Sequence, residues 1–184
     1  MSVLKAPVII PKPRQVKMYR DLAQFHFDPK QQPKDRFNLL RKDVGVDPSI
    51  TPEIEEKLFF KRKAGDQPRI LEIGLLAFPR RDYGSVLQKM GTELLSKHNY
   101  RSGGIGGFFG FVMACPHVTC PGLVLALGRD MSQSRDIILG VTRCSHELPD
   151  KRRVVAERLS RLGKNILPSL SPEPLFVIIV KDIV

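Results

Sequence analysis

The sequence contains no tryptophan and only three cysteines, Cys115, Cys120 and Cys144. So few thiols exclude a disulfide framework and point to a reducing compartment. Long apolar runs are also missing. The stretches near Phe108–Cys115 and Pro121–Leu127 are broken by glycine and proline, well short of the roughly 18 residues that span a bilayer. Acidic residues are scarce. Nineteen Asp and Glu face thirty Lys and Arg in 184 residues, for a net charge of +11. An excess of this size attracts polyanions: RNA, DNA or an anionic membrane surface. The chain is long enough for one ordinary domain with additions.

Charge and proline are concentrated at the start. The first twenty residues hold Lys5, Lys12, Arg14, Lys17 and Arg20 and no acid. That bias fits a mitochondrial presequence; the expected location is the mitochondrial matrix, or otherwise the cytoplasm. Pro7, Pro11 and Pro13 oppose the helix such a signal forms, and with Met1 heading it the segment reads as an arm of the mature protein. Residues 1–67 are expected to be an extended, basic, proline-rich arm, and residues 68–184 a compact domain. A cationic ribbon with so little self-packing should be ordered only against a foreign surface. Two short helices are expected in the arm. One covers Arg14–Phe27, with Met18, Leu22 and Phe25 near one face. The other follows Thr51 and Pro52, carries Ile54, Leu58 and Phe59, and ends in Lys61, Arg62 and Lys63. Cations here could neutralise phosphates, while the aromatics stack on bases or fill pockets.

Within the domain, Arg69–Phe78 reads as a strand. A helix from Asp82 or Ser85 to Lys97 follows, with Val86, Leu87, Met90, Leu94 and Leu95 inward. Phe108–Ala114, Gly122–Leu127, Asp136–Thr142 and Leu175–Val184 are expected strands. A basic helix is expected over 150–162, with Asp150 as its N-cap and Gly163 beyond it. Lys151, Arg152, Arg153, Arg158 and Arg161 would line its open face. The order β-α-β-β-(β)-α-β suggests an α+β, ferredoxin-like sandwich.

Motifs that could carry chemistry are weak. Gly103–Gly107 is expected to follow a helix and open a strand, the wrong context for a phosphate loop. Cys115, His117, Cys120, Cys144 and His146 are the candidate metal ligands, but their spacing matches no standard zinc site. Cys144 and His146 form no recognised nucleophile arrangement. No catalytic residue and no cofactor is therefore assigned. The expected RNA contacts are Lys12, Arg14, Lys17, Arg20, Lys61, Arg62, Lys63, Lys151, Arg152, Arg153, Arg158 and Arg161.

Pro68–Leu76, the helix after it and the closing element around Phe176–Lys181 resemble the sixth protein of the small ribosomal subunit, particularly its mitochondrial forms. This implies a ferredoxin-like domain bound to ribosomal RNA and neighbouring protein subunits. Leu170–Ile179 is similar to the last junction of the tautomerase fold. That family uses an N-terminal proline as base; the matching Pro68 is internal and its nitrogen an amide. The reading is thus a non-catalytic ribonucleoprotein subunit. Its alternatives are a tautomerase-like or degenerate enzyme and an accessory subunit of a respiratory or ATP-synthase complex.

Overall fold

A computed structural model describes residues 6–43, 45–46, 48, 50–53, 67–79, 93–126, 137–143, 152–158 and 174–183. The chain is α+β with a mixed sheet. In order, the elements are β1 (Val8–Ile9), β2 (Lys17–Phe27), α1 (Pro33–Asp43), β3 (Gly45–Val46), β4 (Arg69–Phe78), β5 (Arg101–Ser102), α2 (Gly104–Ala114), β6 (Val118–Thr119), β7 (Leu123–Ala126), β8 (Ile137–Arg143), β9 (Arg152–Arg158) and β10 (Leu175–Ile183). The main sheet runs β2-β4-β10-β7-β8-β9-β3, with β5 also paired to β10. β1 and β6 form a separate parallel pair.

β4 and β10 make the centre. They pair antiparallel over nine positions, from Leu175 opposite Phe78 to Ile183 opposite Ile70. Their near-continuous apolar sequences suit strands covered on both faces. On one face Leu71, Ile73, Leu75, Ala77, Phe176, Ile178 and Val180 join the main core. On the other, Leu76, Phe78, Val177 and Ile179 pack with Tyr100, Leu94 and Leu95. Helical residues Glu93–Lys97 supply those leucines, as the sequence anticipates; the preceding part of that expected helix lies outside the described residues.

Three expectations are corrected. First, Arg14–Phe27 is not helical: Lys17–Phe27 is strand β2, paired antiparallel with β4. Ala23, Phe25 and Phe27 alternate into the core, which is strand periodicity. The pairing shifts between Tyr19 and Ala23, where Asp21 adopts φ +55°. Three residues, Arg20, Asp21 and Leu22, there oppose Gly74. A Cβ on Gly74 would sit 2.6 Å from the Tyr19 carbonyl oxygen, so the bulge requires glycine. Residues 17–43 are accordingly not an extended arm. Their order needs no foreign surface, because β4 and the main core supply the contacts. Phe37 and Leu40 of α1 belong to that core, and the Phe37 ring lies 5.2 Å from that of Phe109.

Second, Phe108–Ala114 is not a strand but most of helix α2. The helix is buried along most of its length. Glycines at 103, 107 and 110 let it lie directly on the sheet. An added Cβ at these positions would stand 2.8 Å from Ile178, 2.9 Å from Val180 and 2.6 Å from Ile73. The glycine stretch therefore opens a helix, contrary to expectation, and serves close packing.

Third, residues 152–158 are strand β9, not helix. β8 offers an antiparallel partner, with Val155 opposite Gly140 and Val154 opposite Val141. Adjacent β-branched residues favour this extended form. Residues 150, 151 and 159–163 of the expected helix lie outside the described residues. So does most of the second arm helix: only Pro52 and Glu53 are seen, and both are helical.

Candidate nucleic-acid interface

The N-terminal cations occupy a pinned segment. Upstream, Val8 N–H donates to the His117 carbonyl at 2.9 Å and Ile10 N–H to that of Thr119 at 2.8 Å. Downstream, β2 enters the main sheet beside β4. Between these anchors Ile10 and Pro13 are buried, whereas Lys12, Arg14, Lys17 and Arg20 are exposed. The backbone is thus fixed by its apolar residues and displays its cations outward.

None of the four cations meets a carboxylate among the described residues. Lys12 and Arg14 make no ion pair there. The Lys17 ammonium lies 5.1 Å from the centre of the Tyr19 ring, a cation–π contact. Burial pushes the Tyr19 hydroxyl pKa up, keeping that ring neutral. Arg20 reaches Nδ1 of His98 at 3.5 Å, so its charge is left uncompensated.

Other cations are committed internally. Asp182 accepts from Arg69 Nε at 3.3 Å and from Arg101 at 3.2 Å, holding β4 and β5 against β10. All three side chains are about two-fifths exposed, which keeps the contribution small. Arg36 is the one buried charged residue among those described, at 2% exposure. Its guanidinium stacks on Phe25, Phe109 and Phe27 at 5.2, 5.7 and 5.8 Å. It donates to the Asp28 carbonyl at 3.3 Å, but its Nε has no partner. Burial lowers its pKa, partly opposed by the charge of Asp28. Arg36 therefore ties α1 to the core and is unavailable to a surface ligand.

The Asp21 bulge sits beside a polar clamp. Tyr100, itself buried, donates its hydroxyl to Glu72 Oε1. Burial raises the Tyr100 pKa most, followed by the hydrogen bond and charge of Glu72; a backbone hydrogen bond from Asp21 acts the other way. The clamp joins β2, β4 and the end of the helical segment 93–97, next to Arg20 and His98. Sequence reasoning missed both the clamp and Arg36. A lone tyrosine or arginine carries no spacing signal.

Of the other expected contacts, Arg152, Arg153 and Arg158 stand on β9, opposite Arg143, Thr142 and Ile137. They are not brought together with the N-terminal cations by any described pairing. Lys61, Arg62, Lys63, Lys151 and Arg161 lie outside the described residues, as do Cys144 and His146. Cys115 and Cys120 are buried and His117 is half-buried. Among the described residues no group of three or more His, Cys, Asp and Glu could hold a metal ion. No helix among them is long and apolar enough to cross a membrane. Compared with protein-family models, curated proteins and solved structures, the chain matches none.

Proposed function

We propose that this chain is a non-catalytic, RNA-binding subunit of a ribonucleoprotein, of the ribosomal type that its sequence resembles. The observation that carries the reading is the Lys12–Arg20 strip: four exposed cations, no carboxylate partner among the described residues, on a backbone pinned at both ends. Such a strip releases condensed counterions when it meets phosphates, which favours binding. The net charge of +11 supports the same class of partner.

No foreign surface is needed to order residues 17–43, since β4 and the main core hold them. Charge and its display remain. A ferredoxin-like plan stays part of the proposal for residues 68–184. The side-by-side, antiparallel placing of β4 and β10, their first and last strands, supports it, while the parallel pairing of β10 with β7 departs from it. β2, β9 and β3 widen the sheet beyond it.

The test is sedimentation of a gently lysed, low-salt extract. The protein should travel with an RNA-containing particle and be released by nuclease or by about 1 M salt, which screens charge within roughly 3 Å. A protein that sediments alone, free of RNA, contradicts the reading.

A further inference from the structure

We infer, resting on the RNA-binding reading above, that the Lys12–Arg20 strip grips the phosphodiester backbone and leaves the bases unread. Proteins that recognise unpaired bases stack them on exposed aromatic rings. Among the described residues this surface has none to offer. Every phenylalanine among the described residues is buried in one of the two cores. Tyr100 is buried and tied to Glu72. Tyr19 is half-buried, and the Lys17 ammonium already lies over its ring.

The major groove, where each base pair shows a distinct pattern, admits a helix or a two-stranded ribbon. β2 is neither: it is fused along its length to β4 at the border of a wide sheet. A strip in that position meets the rim of a nucleic acid. Between Lys12 and Arg20 the one side-chain amide is Gln15, too little to spell a sequence.

The geometry suits a backbone track. Eight residue steps separate Lys12 from Arg20, so the strip spans at most about 29 Å. One strand of a duplex presents a phosphate roughly every 3.4 Å along the axis. At most about eight phosphates could therefore lie along the strip, and its four cations can neutralise up to four of them. The hydrogen bonds at Val8 and Ile10 and the pairing of β2 fix the spacing before a ligand arrives. Less ordering entropy is then lost on binding.

The experiment uses the full-length protein and fluorescence anisotropy at one fixed salt concentration. Labelled poly(U), poly(A) and a mixed-sequence strand of equal length are the ligands. Heparin, a polyanion without bases, is the competitor. A fourth arm uses vesicles of phosphatidylglycerol. The expected result is equal affinity for the three RNAs within about tenfold, with complete displacement by heparin. A variant carrying K12A, R14A, K17A and R20A, verified as folded by circular dichroism, should lose affinity for all three alike. A preference beyond about tenfold among the RNAs, RNA that heparin does not displace, or an unchanged variant overturns this inference while leaving RNA binding intact. Failure to bind any RNA overturns both. Binding to vesicles alone does the same and assigns the strip to anionic lipid.

Discussion

β2 and α2 are each eleven residues long, touch the same core, and do opposite work. α2 carries no charge and is buried along most of its length. β2 divides its residues: Ala23, Phe25 and Phe27 are buried, whereas Lys17, Arg20 and Asp21 stay in solvent. One element is all adhesion; the other is both structure and surface. The contrast teaches where function can reside. A substitution in α2 should be felt as lost stability, whereas the exposed cations leading into β2 should be silent in stability and loud in binding.

The largest effect expected is at Phe109→Ala. Its ring meets Phe37 and Phe108 at 5.2 and 5.3 Å and supports Arg36. The loss should be about 3–5 kcal/mol, read from a denaturant midpoint. A loss below about 1 kcal/mol would show that α2 is not the adhesive element described.

Gly74→Ala comes next and probes the β2 side. The new methyl would press on the Tyr19 carbonyl, which belongs to backbone and yields little. Destabilisation of about 1–3 kcal/mol is expected. Because the bulge sets the path of the strand, RNA affinity should fall as well. Unchanged affinity would separate the bulge from the strip.

Tyr100→Phe removes one buried hydrogen bond and should cost about 1 kcal/mol. The pH profile gives a second signature. The folded-state pKa of Tyr100 is raised above the ordinary value near 10. Stability from this group is therefore complete below about pH 10 and lost as pH climbs through the raised pKa. The phenylalanine variant should show a shallower alkaline decline. An identical decline would mean that Tyr100 does not titrate as its surroundings dictate.

Smallest in stability is the change of Lys12, Arg14, Lys17 and Arg20 to alanine. Exposed sites of this kind stay within about 0.5 kcal/mol each. A thermal midpoint several degrees lower would reveal a structural role for the strip.

How far the sequence discloses all this follows from the physics of each segment. β4, β7, β8 and β10 are legible because apolar runs of four to ten residues bounded by glycine, proline or charge have few alternatives to a strand. α2 is not, since an apolar run buried along most of its length has no periodicity to separate helix from strand. β2 misleads for a different reason. Its alternation over Ala23–Phe27 is clear, but the bulge at Asp21 breaks phase with Met18 and Tyr19, and the whole imitates helical spacing. β9 turns on its partner: Val154 and Val155 lean toward a strand, but Asp150 and Gly163 imitate the ends of a helix, and β8 supplies the ladder that decides. The cations of the strip stand out in composition, yet what pins them does not. A two-residue pair such as β1 with β6 leaves no trace in the sequence that a reader could weigh.

The salt dependence of RNA affinity tests the central claim most directly. Each phosphate neutralised contributes about −0.9 to the slope of log K against log salt for a duplex, and about −0.7 for a single strand. Removing all four cations of the strip should therefore make the slope shallower by about 3 to 4. A variant whose slope matches that of the unaltered protein would show that the phosphates are held elsewhere, and would contradict the account.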